Sequence, residues 1–193
     1  MTTELILVRH APARNGGLLA GRTDVPADCS DSHVFAALRA AIGTVDRRVA
    51  SPALRCIETA TVLWPDLPAP ETDARLWEQD FGDWEGLALS DLPDLGPLPP
   101  AALAAQRPPN GESFDDLCAR AHPALETLAA RGGRIAVVAH AGTLRAALAL
   151  ALGSPAAALA FRLAPLSLTR LTAFGDGAWA VGMVNWLPRG VEP

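Results

Sequence analysis

Sixteen basic residues against 21 acidic ones leave the chain at −5, and nowhere do the basic residues gather into a run or alternate with aromatics. The electrostatic footprint of a nucleic-acid-binding protein is therefore missing. Cysteine is scarce: Cys29, Cys56 and Cys118 are odd in number, scattered, and form no CxxC pair. That argues against a disulfide framework and for reduced thiols in a cytosolic protein. Long apolar runs are absent too. The longest, Ala146 to Leu152, falls far short of a membrane span, and the opening MTTELILVRH lacks the basic n-region and apolar h-region of a signal peptide. The expectation is a soluble, cytoplasmic protein. There is also no GxSxG elbow, no P-loop and no GxGxxG, which sets aside the common serine-nucleophile and nucleotide-binding schemes.

What is present is apolar. Half of the 193 residues are hydrophobic and only 19% are charged. A chain of this size buries roughly 70% of its unfolded surface, enough for one ordinary core. We expect a single domain over 1–193, with an irregular, proline-rich, cap-like excursion at about 87–111. Glu4 to Val8 reads as a strand buried on both faces. Asp31 to Ile42 has helical spacing, and Val45 to Ala50 is a second strand candidate. Ser51 suits an N-cap and Pro52 a first helical position, opening a helix through Trp64. Glu71 to Leu76 is a weaker strand. Ser113-x-x-Asp116 resembles a capping box ahead of a long amphipathic helix, which Pro123 should kink and Gly132-Gly133 should end. Arg134 to Ala139 is a strand, and the helix after it closes at Gly153. Leu166 to Phe174 and Ala178 to Trp186 flank Gly175-Asp176-Gly177, a hairpin signal. Strands alternating with helices predict an α/β three-layer sandwich, with a mostly parallel sheet covered on both faces and a C-terminal hairpin.

Two of these strands, LVRH and VVAH, end in a histidine, His10 and His140. In an open α/β sheet, ligands sit beyond the carboxyl ends of the strands, so the two can meet across one pocket. Arg9 arrives beside His10. Arg55 lies in the first turns of the Ser51-Pro52 helix, whose free N–H groups favour an anion. Two arginines, two histidines and a helix start make a phosphate site, because guanidinium forks match phosphate oxygens. An imidazole is a competent nucleophile toward phosphorus, and pocket cations would keep His10 neutral and stabilise negative charge. Glu78 is the candidate general acid for the leaving alcohol. Trp77, Trp84, Trp179 and Trp186 read as packing, and no cysteine has an activating neighbour.

These blocks resemble a known family. LVRHA is similar to the Arg-His-Gly signature of the histidine phosphatase superfamily, the phosphoglycerate-mutase-like proteins. SPALRCIETA, WEQDFGDWEGL, NGESFDDLCAR and VVAHAGTLRAAL resemble its later blocks, in the family's order, over roughly positions 4 to 150. The resemblance implies that His10 is phosphorylated and that Arg9, Arg55 and His140 hold the phosphoryl group. It also implies that Glu78 protonates the leaving oxygen and later helps activate water. No metal and no cofactor are implied, and the remaining histidines, His33 and His122, show no ligand spacing. AGRTDVPADCSD and the Trp-containing acid block look most like the α-ribazole phosphatase group of cobalamin assembly. Two positions depart from the pattern: Ala11 stands where the family usually has Gly, and Gly16 where it often has Asn, with Asn15 one short. Asn15 and Arg22 are candidate substrate contacts.

The resulting expectation is a metal-independent phosphomonoesterase acting on a small-molecule phosphate ester, without nucleic-acid or membrane partners. Its rivals are a broad-specificity phosphatase, a phosphoglycerate mutase and a phospho-ligand-binding protein that has lost catalysis. The loops at 11–30 and 87–110 are mostly apolar or small, which suits a bulky, uncharged leaving group. Oligomeric state is not legible.

Overall fold

The apolar run after Thr3 forms β1 (Thr3–Arg9), near the middle of a six-stranded sheet in a computed structural model that describes residues 2–188. The other strands are β2 (Arg47–Ala50), β3 (Glu71–Thr72), β4 (Gly133–Ala139), β5 (Leu168–Ala173) and β6 (Trp179–Trp186), in the spatial order β3-β2-β4-β1-β5-β6. The first four in that order run parallel, β5 is antiparallel to β1, and β6 is antiparallel to β5. The hairpin signalled by Gly175 to Gly177 thus closes one edge of a mixed sheet.

Successive side chains of a strand point to opposite faces, and this alternation builds two cores. Leu5 and Leu7 of β1, with Ile135 and Val137 of β4, pack against α4 (Phe114–Ala129) and α5 (Ala141–Leu152). Ile6, Val8, Ala136 and Val138 pack against α1 (Ser32–Ile42) and α2 (Leu54–Leu63) on the other face. All eight are at most 1% exposed, which is why both segments read as continuous apolar runs. Local signals set most helix ends. Asp31 accepts from the His33 and Val34 N–H groups, Ser113 and Asp116 form a reciprocal capping box, and Gly153 ends α5 in the left-handed conformation at φ 66°. Asp116 does here what Glu or Gln usually does. The long helix runs through Pro123 to Ala129.

The structure corrects the sequence reading at four places. The expected strand Glu71 to Leu76 is only two residues long, because Asp73 accepts from the Arg75 N–H (2.9 Å) and turns Ala74–Leu76 into a 3₁₀ helix. The strand expected from Val45 begins at Arg47. Ser51 and Pro52 do not open α2: the helix starts at Leu54, after Ala53, and Asp24 caps it from a distant loop by accepting from the Leu54 N–H (2.7 Å). The proline-rich excursion is not wholly irregular, since Pro100–Ala105 forms a short helix, α3. A further short helix, α6 (Pro155–Ala158), follows α5. Among the described residues, no helix is long and apolar enough to cross a membrane.

Candidate active site

β1 and β4 are hydrogen-bonded neighbours, with Arg9 opposite Ala139. The next residue on each strand is a histidine, and the His10 N–H donates to the Ala139 carbonyl at 2.9 Å. The two rings therefore meet, edge to face, with centroids 5.1 Å apart. His10 Nδ1 lies 2.7 Å from the Ala11 carbonyl oxygen. A carbonyl only accepts, so Nδ1 carries the proton and Nε2 keeps its lone pair. Burial, reinforced by Arg55 and Arg9, pushes His10 down to about 3. His140 is fully buried, and that burial holds its ring well below the ordinary range, with His10, Arg55 and Arg9 adding to the effect. Both imidazoles are neutral at pH 7. Ala11 itself is buried and its N–H donates to Thr59 Oγ1 (2.9 Å). Its φ is not positive, so the methyl that replaces the usual glycine is accommodated.

Arg9, His10, Asn15, Arg55 and Glu78 line one cleft of about 310 Å³ at this end of the sheet. Arg55, 1% exposed, projects from the first turn of α2. Its guanidinium donates to the carbonyls of Ala20 (3.2 Å), Gly21 (2.8 Å) and Thr23 (3.1 Å) and so ties down the loop after β1. Glu78 arrives from a turn rather than a strand. Its carboxylate accepts from the Gln79 N–H (3.0 Å) and from the Gly142 N–H (3.2 Å) in the first turn of α5, where helix amides favour an acceptor. A neutral imidazole with a free lone pair, two guanidiniums and a carboxyl thus face one cavity. His140 does not line it and stands behind His10.

The two weaker candidates separate. Asn15 lines the cleft, but its amide is engaged locally, donating to the Leu18 carbonyl and accepting from the Gly17 N–H (3.3 Å). Arg22 is not among the lining residues. It pairs with Glu112 (3.4 Å) and lies over the Trp77 ring, 5.8 Å from its centroid. Trp77 is packing, as read, but its neighbours belong to the site: it stacks on His140 at 6.2 Å and 7°, with the Arg55 guanidinium 5.9 Å away.

Several residues around the site had not been singled out. Arg120 grips the Glu78 loop from α4, donating to the carbonyls of Arg75 (2.8 Å), Trp77 (3.2 Å) and Glu78 (3.2 Å) while forking onto Glu112 at 2.9 and 2.7 Å. Glu112 in turn accepts from the Asp80 N–H (3.2 Å), and its carbonyl from Gln79 Nε2 (2.7 Å). Ser51 bonds His140 Nε2 at 2.8 Å, which is where the hydroxyl expected to cap α2 is used. Cys56 Sγ lies 3.5 Å from the same nitrogen, but burial pushes its thiol upward, so it stays protonated. Gly142 leaves room for the carboxyl: a Cβ there would sit 2.2 Å from Glu78 Oε1 and displace it. Arg145 also lines the cleft. Glu112 and Arg120 lie within the NGESFDDLCAR block, so the signal for them was at hand. Nothing local marks the pairing of Ser51 with His140, 89 residues apart. No group of three or more His, Cys, Asp or Glu among the described residues could hold a metal ion.

Comparison with known proteins finds relatives over most of the chain. A Mycobacterium tuberculosis (H37Rv) protein named bifunctional protein Rv2228c is 32% identical over 165 residues, 76% of this chain and 44% of that protein. The chain thus spans less than half the length of that relative. An Arabidopsis thaliana protein named metal-independent phosphoserine phosphatase is 30% identical over 158 residues, 75% of this chain and 66% of that one. Among solved structures, a candidate alpha-ribazole-5'-P phosphatase from Escherichia coli K-12 superposes with a TM-score of 0.81 at 25% identity, covering 98% of this chain and 99% of that one. A mycobacterial glucosyl-3-phosphoglycerate phosphatase complexed with VO3 gives 0.81 at 26% identity, covering 94% and 98%. The model of one family, the histidine phosphatase superfamily (branch 1), matches residues 5–186, from the strand that delivers His10 to the end of β6, and the chain belongs to that family.

Proposed function

We propose that the chain is a metal-independent phosphomonoesterase that works through a phosphohistidine at His10. The observation that carries this reading is the neutral His10 ring, its Nδ1–H fixed on Ala11, in a cleft lined by Arg9, Arg55 and Glu78. The His10 Nε2 lone pair attacks the phosphorus, and the bond from phosphorus to the leaving oxygen breaks. Glu78 acts as the general acid, giving a proton to that oxygen as the alcohol departs. Arg9 and Arg55 spread the charge of the equatorial oxygens, and His140, packed behind, holds the His10 ring edge to face. Glu78, now a carboxylate, takes a proton from water, whose oxygen attacks phosphorus. The N–P bond breaks, phosphate leaves, and the electron pair returns to Nε2. No step uses a metal, in keeping with the name of the Arabidopsis relative, a metal-independent phosphoserine phosphatase.

The substrate is a small-molecule phosphate ester. α-Ribazole 5'-phosphate is one to test, because the sequence blocks resemble that group and an Escherichia coli neighbour is described so. The decisive experiment is hydrolysis of an aryl phosphate in excess EDTA by wild type and His10→Ala. Activity that survives EDTA and disappears in the variant supports the scheme. Equal activity in both proteins removes His10 from the chemistry.

A further inference from the structure

A second cavity, of about 320 Å³, adjoins the cleft, and Arg9, Arg145 and Arg162 line it with Ala164 and Asn185. Arg9 and Arg145 also line the cleft, so the two hollows share a cationic wall. Among the described residues, none of the three arginines stands in an ion pair. Arg9 donates to the Leu163 carbonyl and Arg145 Nε to the Phe161 carbonyl (3.0 Å), while Arg9 Nε is buried without a partner. Burial lowers the affinity of Arg9 and Arg145 for their protons, partly opposed by Glu78. The Arg145 charge repels that of Arg9, Arg162 adds a third, exposed guanidinium to the same lining, and an anion held there relieves the repulsion.

The backbone around this cavity is held in place. Leu166 adopts φ 57°, an unfavourable conformation for a bulky side chain. Its N–H donates to the Arg9 carbonyl (3.1 Å), and the Arg9 N–H donates to the Ser167 carbonyl (3.1 Å). Opposite, Asn185 sits at φ 54° and accepts from the Ala164 N–H (2.7 Å) through Oδ1. Leu166 follows the lining residue Pro165, so the hydrogen bonds that hold its left-handed backbone onto Arg9 also fix this side of the cavity, and backbone strain of this kind concentrates at ligand sites.

We propose that the Arg9–Arg145–Arg162 cavity is a second anion subsite, which takes a carboxylate or a second phosphate on the leaving group while the first phosphate lies at His10. The inference rests on the phosphomonoesterase reading and narrows it. The preferred substrate carries two anionic groups, in place of the bulky uncharged leaving group that the loops suggested. An ester with one phosphate and no second anion, α-ribazole 5'-phosphate included, leaves the subsite unfilled.

The test compares 3-phosphoglycerate with glycerol 3-phosphate, in which a hydroxymethyl group replaces the carboxylate. For each ester we would measure kcat/KM by phosphate release and Kd by calorimetry on the His10→Ala protein. Glycerol 1,3-bisphosphate, which carries a second phosphate and no carboxylate, separates carboxylate from phosphate as the preferred second anion. The expected result is at least tenfold preference for the doubly anionic ester, expressed in KM and Kd, cut to threefold or less by Arg162→Gln. Equal handling of the two esters overturns the subsite, as does a preference that survives both Arg162→Gln and Arg145→Gln. Absence of any hydrolysis sinks the esterase reading, and the Kd pair then decides the subsite by itself.

Discussion

Two neutral imidazoles packed together at the rim of the sheet make the fold sensitive to acid. Burial holds His10 near 3 and His140 well below 6.5, with Arg55 and Arg9 contributing to both. In the unfolded chain a histidine titrates at about 6.5. Between the folded and unfolded values the unfolded chain binds a proton that the folded chain refuses, so stability falls as pH falls. The stability is complete above about pH 6.5 and is lost at about 1.4 kcal/mol per pH unit for each histidine as pH drops toward the folded value. From about pH 7.5 to about pH 5.0, His10 alone removes roughly 2 kcal/mol, and a His140 that stays neutral throughout doubles this to roughly 4 kcal/mol. With a urea m-value of about 2 kcal/mol/M, the denaturation midpoint moves down by about 2 M. Tryptophan fluorescence reads the transition. The buffer must be free of phosphate, which would bind the folded state and mask the loss. Stopping at pH 5.0 keeps most carboxylate titration out of the window. Replacing His10 by Gln removes one of the two protons and should halve the decline. A midpoint that stays flat between the two pH values, or a decline untouched by His10→Gln and His140→Gln, would refute the claim that both rings are buried neutral.

Other perturbations test the carboxyl's support. Gly142→Ala places a methyl 2.2 Å from Glu78 Oε1 and 2.8 Å from Leu117 Cδ2. We expect kcat on an aryl phosphate to fall about 100-fold, in the range a general acid contributes, and activity within threefold of wild type would contradict the assignment. Arg120→Lys keeps the charge but loses the fork onto Glu112 and the reach to three carbonyls, so kcat should drop about tenfold with KM nearly unchanged. A change confined to KM would point elsewhere. Ser51→Ala removes the hydroxyl at 2.8 Å from His140 Nε2 inside the core and should cost about 1–2 kcal/mol in urea denaturation. Leu7→Ala, at 1% exposure in the core beneath α4 and α5, should cost about 2–5 kcal/mol.

Elements buried on both faces, or bounded by a cap, were the legible ones. β1 and β4 announce themselves as apolar runs, and Asp31, Ser113 and Gly153 mark helix ends through their own backbone or side-chain chemistry. What stayed hidden depends on contacts distant in sequence. Ser51 and Pro52 spell a helix start, yet His140 takes the hydroxyl and Asp24 supplies the cap. Glu71 to Leu76 has strand-like composition, but a single side chain, Asp73, bends it. The same holds for the cleft. His10, Arg9, Arg55 and Glu78 could be gathered because strand ends and a helix start point one way. The Arg120–Glu112 clamp and the arginines at 145 and 162 come together only through the packing of α4, α5 and the segment before β5.

The distance between the two histidine rings is inherited from one rung of backbone hydrogen bonds, not from any loop. Moving β1 by one residue against β4 would turn its apolar side chains onto the wrong faces, so slippage comes in pairs of residues, about 6–7 Å at a time. The spacing is therefore digital, correct or wrong by more than the reach of a transferred group. Segment 87–111 hangs outside that gauge. It can lengthen, shorten or change chemistry without altering the spacing of the two rings, so the rim of the cleft is free to vary while the strand ends beneath it stay fixed.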